Sequence, residues 1–450
     1  MLLTRDREFY RRLAALAVPV ALQNLMTFAV GFAGNLMVGR LGDAAVSGVY
    51  VGNQVQTLLQ FFSGGIEGTL LILASRRWGG RDMDGVRRVS AAALLLTLSF
   101  AGLLTATCAI FPGWVAGLFA RDAEVAAAGS GYLRIACFSY LFFCANQALT
   151  AALRSVEKAR VGMVVSGLSL AVNVGLSYLL IFGRLGFPRL DVAGAAIAAL
   201  VTRIFELSAT AFYLLRFDKR LKLQPRSLLY PGMECFRQFI RCGAPITGGQ
   251  LIWSANMLFS SAILGRFDAS VIAAASVANS MSGLAYVAMN GASTAVGVIT
   301  GKTVGAGDLE KVKEYARTVQ LLFILLGFAT AALVLLIRRP FISLFLNITP
   351  DAAGHAARFI AVLAITMIGT CYQQAGFTGL VKAGGDVGFV FRMDAVFVFL
   401  LVLPAALIAR RLGAAPWIVY ACLKCDQILK CPVASVKINR FNWIRPLHEP

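Results

Sequence analysis

Apolar stretches of about twenty residues or more follow one another along the whole 450-residue chain. A bilayer's hydrocarbon core is about 30 Å thick, and a helix needs about 20 residues to cross it. Twelve stretches meet that length: 13–38, 47–75, 88–111, 125–152, 161–183, 192–215, 242–264, 271–300, 315–337, 353–380, 388–409 and 416–434. They lack the every-second-residue alternation of a membrane strand, so helices are predicted. The last is the weakest, because it carries Lys424, Asp426 and Lys430. Composition points the same way. Hydrophobic residues make up 58% and charged residues 14%, against about 25% charged in ordinary soluble domains. A soluble fold could not hide that much apolar surface, and a disordered chain would not contain it. The expected fold class is an all-α polytopic membrane protein.

The formal net charge is +20. In a soluble chain that excess would suggest nucleic acid. Here the basic residues lie between apolar spans and form no aromatic-interleaved stripe, so topology explains them and no nucleic-acid partner is expected. One set of connections holds Arg76, Arg77, Arg81, Arg87, Arg88, Arg154, Lys158, Arg160, the run from Arg216 to Arg241, Lys302, Lys311 and Lys313. The other set is sparse, with Arg40, Arg184, Arg189, Arg266, Arg338, Arg339, Arg410 and Arg411. Basic loops stay inside, so both termini are expected in the cytoplasm of a multi-pass cell-membrane protein. The N-terminal arginines before an apolar run resemble a signal peptide, but the run is too long and reads as a retained first helix. Nine cysteines in a chain of this size do not form a disulfide framework. Cys422 and Cys425 lack the further ligands a structural zinc needs, so no metal and no cofactor are expected beyond a coupling ion.

The chain also repeats. A shift of 226 residues places Pro19 on Pro245, Gly39-Arg40 on Gly265-Arg266, Asn53 on Asn279, Gly65 on Gly291 and Asp82 on Asp308. Six spans followed by a similar six give two halves of the same orientation, a transporter arrangement. The expected organisation is an N-terminal lobe at 1–215, a basic cytoplasmic linker at 216–241, and a C-terminal lobe at 242–450 with a short tail.

On these residues the chain resembles the multidrug and toxic compound extrusion (MATE) family. Pro19 with the run Asn35 to Gly42 resembles the family's first helix and its exit turn. Ala74 to Gly80 resembles the loop after its second helix, and Asn173, Leu179 to Pro188, Val192 to Ala196 and Arg203 form the most specific stretch. Pro245 and Gly301 to Gly305 repeat the pattern. The resemblance implies a twelve-helix, two-lobe antiporter exporting amphiphilic, often cationic compounds on a proton or sodium gradient. Departures bear on coupling. Where many relatives carry an acid in the first helix this chain has Gly34; the acid expected four residues after Asn173 is Ser177; the threonine near the start of the sixth span is Ala199; and the tenth span holds no acid past its opening turn.

Ionisable groups inside a span are costly and mark function by default. The cation-coupling candidates are Glu67, Glu206, Arg203, Asp394 and Asn173. Arg203 and Glu206, at i,i+3, share a helix face and can pair; Arg392 can snorkel to the interface and leave Asp394 inside. Among the many buried amides, Gln23, Asn24, Asn53, Asn146, Gln250, Asn256, Asn279 and Gln373 are candidates to line a substrate cavity, the alternative for each being a tie between helices. No HExxH, GxSxG or P-loop pattern is present, so an enzyme is not expected. A monomer is expected, with membrane lipids and a small amphiphile as partners. The second reading is a flippase for a lipid-linked oligosaccharide, which would want Arg134, Arg203 and Arg358 lining a central cavity.

Overall fold

The computed structural model describes residues 3–38, 43–119, 123–184, 186, 188–218, 220–221, 232–345 and 349–445. Arg40, the glycine pair Gly39 and Gly42, most of the linker (Lys219, Lys222, Pro225, Arg226, Pro231), Leu185, Phe187 and the last five residues lie outside them, as does the side chain of Asn35. The described chain is helical almost throughout. Its helices are α1 (Arg7–Val38), α2 (Asp43–Gly79), α3 (Met83–Ile110), α4 (Pro112–Phe119), α5 (Ala123–Ala136), α6 (Ser139–Ser155), α7 (Ala159–Phe182), α8 (Asp191–Arg216), α9 (Met233–Leu264), α10 (Ala269–Gly305), α11 (Leu309–Ser343), α12 (Pro350–Gln373), α13 (Val387–Val396), α14 (Leu403–Arg411), α15 (Pro416–Lys424) and α16 (Asp426–Asn439). π-helical turns extend α12 through Gln374–Lys382 and join α13 to α14 through Phe397–Val402. Every one of the twelve expected spans falls on this helical framework. Among the described residues, nine helices are long and apolar enough to cross a bilayer, and the bent pair α5–α6 makes a tenth when counted as one span.

The differences have local causes. The fourth span is not one rod: α5 and α6 meet at 53°, where Thr105 donates its hydroxyl to the Cys137 carbonyl at 2.9 Å. Widened turns in the eleventh span precede Pro404, which has no N–H to give and so disturbs the helical ladder. The last span breaks at Cys425, and the seventh begins at Met233, making helix of the final residues of the stretch read as linker. Apolarity in the seventh is diluted by Gln250, Asn256 and several glycines, and in the last by Lys424, Asp426 and Lys430.

The chain divides into two compact units. One comprises Met1–Ala21, Gly79–Arg81 and Gly248–Pro450; the other comprises Leu22–Trp78 and Asp82–Thr247. The divide falls inside α1 and inside α9, two residues past Pro19 and two past Pro245, positions that the 226-residue shift equates. In the first unit the N-terminus is tied to α11: Thr4 N–H donates to Thr318 Oγ1 at 2.8 Å, Phe9 stacks on Tyr315, and the Tyr315 hydroxyl donates to Asp6 at 2.6 Å. That hydroxyl, with backbone N–H groups of Glu8 and Phe9, holds the Asp6 carboxyl below the usual carboxylate range. The tie is therefore complete at neutral pH and weakens as pH falls through the lowered value. At the other end, Trp443 is fully buried and donates its indole N–H to the Ile438 carbonyl at 3.0 Å, while Asp386 pairs with Lys437 at 2.6 Å and Arg445 at 3.0 Å.

The first unit's core gathers Met281, Met289, Phe359, Leu363, Met367, Val402, Tyr420 and Leu423. The other unit has one core around Leu70, Leu73, Val86, Leu153 and Phe239 and another around Leu59, Leu133 and Tyr140. Helices in lipid associate through close packing rather than hydrophobic contrast, and small residues permit it. At Gly369 of α12 a Cβ would collide with the backbone carbonyl of Gln427 in α16, whereas at Gly354 it would meet nothing within 4 Å. Gly369→Val should therefore cost about 1–3 kcal/mol or more by overpacking, and Gly354→Val should be silent. Thermal unfolding of the two variants in detergent separates them.

Candidate functional site

Each unit holds buried ionic pairs deep in its helices. In the second unit, Glu67 of α2 faces Arg154 in the last turn of α6. Arg154 Nη1 pairs with Glu67 Oε1, and Arg154 Nη2 donates to Gln23 Oε1 of α1 at 3.0 Å. Gln147 Nε2 reaches the other Glu67 oxygen at 3.5 Å. The side chains are 8% exposed for Arg154 and 17% for Glu67. A guanidinium offers five donors in a fixed fork, so one cation can serve two helices at once. Expected as a loop charge that sets topology, Arg154 is instead a buried helix-terminal cation, where the α6 dipole also favours it.

A second pair lies on α8. Arg203 Nη1 donates to Glu206 Oε2 at 2.7 Å, as their i,i+3 spacing leads one to expect, and the guanidinium carbon sits 4.9 Å from the Phe143 ring centre. Beside it, Asn173 Nδ2 of α7 donates to Thr202 Oγ1 of α8 at 3.2 Å, and Thr210 Oγ1 donates to Asn146 Oδ1 at 2.7 Å. Asn173 therefore has a threonine partner, three residues beyond Ala199.

In the first unit, Lys430 of α16 stands between two carboxylates. Its Nζ lies 2.9 Å from Asp394 Oδ1 of α13 and 3.0 Å from Asp426 Oδ2, one turn back on its own helix. Lys430 is 5% exposed, Asp426 4% and Asp394 27%. The Lys430 ammonium also lies 5.7 Å from the Phe397 ring centre. Gln427 Nε2 is 3.4 Å from both Asp426 oxygens. Gln373 Nε2 of α12 donates to the Asp426 carbonyl at 3.0 Å and the Gln427 carbonyl at 2.5 Å. Two acids thus share one base. Under the 226-residue shift Lys430 falls on Ile204, next to Arg203, so the sixth span of each half carries its base at the same depth along the helix.

The amide candidates separate into two groups. Gln23, Asn146 and Gln373 hold helices together through the bonds just described. Asn24, Asn53 and Gln250 are half-buried and Asn279 is exposed, and none makes a side-chain hydrogen bond among the described residues. Asn256 keeps a buried Oδ1 with no hydrogen-bond partner. Lys430, Asp426, Arg154 and Thr202 were not singled out from sequence. The signals for Lys430 and Asp426 are their charge inside a span, the same feature that makes the span itself doubtful, and their i,i+4 spacing.

The MatE family model matches residues 19–179 and 245–408, two segments that reproduce the internal repeat. A probable multidrug resistance protein NorM from Rhizobium meliloti is 30% identical over 326 residues, 71% of this chain and 68% of its own. The protein of the same description from Geobacillus kaustophilus is 26% identical over 354 residues, 78% of this chain and 77% of its own. Among solved structures, a MOP superfamily transporter from Pyrococcus furiosus, described as having a binding pocket of reversed polarity, superposes with a TM-score of 0.85 at 19% identity, over 97% of this chain and 98% of that one. With most of its length matched by the family model, and by a relative at 30% identity, the chain is a member of the MatE family of multidrug and toxic compound extrusion transporters.

Proposed function

We propose that the protein exports amphiphilic, cationic organic compounds across the cell membrane by antiport against protons or sodium ions, through alternating access. Family membership and the multidrug resistance names of its relatives support export. Coupling rests on one observation: Asp394, Lys430 and Asp426 put two carboxylates on one ammonium. That cluster can take up one positive charge and still keep a neutral ion pair. Glu67 and Arg154 cannot, because protonating Glu67 would strand a buried guanidinium. Asp394, the most exposed of the three, is the group we assign as the site where the coupling charge arrives.

A ligand or ion shifts a two-state protein only by binding the two states unequally. Charging and discharging this cluster supplies such a difference, since its net charge alternates between −1 and 0. The flippase reading gains little by comparison, because Arg203 is bound to Glu206 and stacked on Phe143. The excess of basic residues in one set of connections supports cytoplasmic termini.

The test is uptake of a fluorescent amphiphilic cation into everted vesicles. Uptake should follow an imposed proton or sodium gradient and stop when ionophores collapse it. A folded preparation that moves no such cation under either gradient overturns the reading.

A further inference from the structure

We propose that Lys430 is a tethered cation that fills, between Asp394 and Asp426, the place a sodium ion would take, so that removing its ammonium opens a sodium site. Applied to the export function proposed above, and resting on it, this makes transport independent of sodium and leaves the proton as the coupling ion.

The geometry is that of a small-cation site already filled. Two carboxylate oxygens from two helices converge on Lys430 Nζ at 2.9 and 3.0 Å. Hard cations such as sodium are bound by oxygen, carboxylates and amide carbonyls above all. A lysine ammonium carries the same single positive charge and, though larger than a sodium ion, satisfies the same oxygens by hydrogen bonds. An ammonium and a sodium ion could not share the space, because two like charges a few ångströms apart repel strongly in a buried setting. Nor does free sodium compete easily. The ammonium hangs on α16 one turn from Asp426, so its effective concentration at that carboxylate is fixed by the covalent chain.

The surroundings are built for adjustment. The π-helical turns of the tenth span end at Lys382, and those of the eleventh begin at Phe397, three residues past Asp394. Such turns are rare and cluster at functional sites. On α9, Gly248 leaves room for the Phe391 ring. A Cβ at Gly249 would lie only 4.0 Å from Asp394 Oδ2, so the second oxygen of that carboxylate faces a glycine backbone rather than a side chain. Other ionisable groups coupled electrostatically to the cluster include Lys382, which interacts with Asp394 and Lys430, and Lys424, Tyr286, Cys425 and Cys431, which interact with Asp426. Among the described residues, the side-chain hydrogen bonds to these two carboxylates come from Lys430 and Gln427.

The experiment uses the full chain purified in detergent, with Lys430→Ser to remove the ammonium and leave space, and Lys430→Met to remove the charge but keep the volume filled. Sodium chloride should raise the unfolding temperature of Lys430→Ser relative to choline chloride at equal ionic strength. It should leave the wild type and Lys430→Met unmoved, and adding Asp394→Asn to Lys430→Ser should erase the shift. Equal unfolding temperatures for Lys430→Ser in sodium and choline overturn the proposal. Should Lys430→Ser fail to fold in choline, recovery in sodium supports it and failure in both salts overturns it. In proteoliposomes the wild type should transport equally in sodium and choline under a proton gradient; a sodium requirement overturns the sodium-free assignment. Absence of all transport would defeat the export reading, while the stability measurement still decides the site.

Discussion

Asp394→Asn is expected to lower gradient-driven export by about tenfold or more, equivalent to at least about 1.4 kcal/mol of lost driving interaction, while the protein remains folded. The substitution keeps the shape of the side chain and removes one of the two charges on Lys430. The ammonium retains Asp426 at 3.0 Å, so no buried cation is stranded and the helices stay joined. What disappears is the surplus acid. With one carboxylate and one ammonium the cluster is already neutral, and an arriving proton has no charge to cancel. Initial rates in everted vesicles measure the loss, and the thermal unfolding midpoint in detergent confirms the fold. Export at the wild-type rate would show that the coupling charge is received elsewhere.

The largest effect on stability is expected at Arg154. Arg154→Met leaves Glu67 ionised and part-buried without its cation and leaves the Gln23 carbonyl oxygen without its donor. Removing one partner of a buried pair typically costs about 3–5 kcal/mol, whereas removing both is often near neutral. Pairing Arg154→Met with Glu67→Gln should therefore restore most of the loss, because Gln23, Gln147 and the new amide can satisfy one another. A double-mutant cycle on thermal unfolding gives the coupling directly. Additive losses would show that Arg154 and Glu67 act on separate neighbours.

How much of this could be read beforehand follows from sequence distance. Span lengths are set by the bilayer, so the helices could be placed from apolar runs alone. Arg203 and Glu206 are three residues apart, and helix geometry brought them together on paper as it does in space. Glu67 and Arg154 are 87 residues apart, and nothing in a linear pattern joins them. The sequence reads Arg154 as a loop charge because arginines at span ends usually set topology, a rule that does not say whether a guanidinium reaches water or a carboxylate. Lys430 and Asp426 lie at i,i+4 and could have been paired. Their charge lowered the apolarity of the final span, and the property that marked a site also obscured the helix carrying it. The breaks at Cys425 and between α5 and α6 depend on tertiary bonds, which no propensity encodes.

The matched prolines carry a consequence for how such a chain can be divided. Because α1 changes allegiance just after Pro19 and α9 just after Pro245, neither half-length fragment contains a finished module. A gene split in the basic stretch would yield an early product missing Met233–Thr247 and a late product missing Met1–Ala21. Each would expose seams normally sealed by the opening turns of its counterpart's leading rod. Each product would therefore lack part of one of the two units.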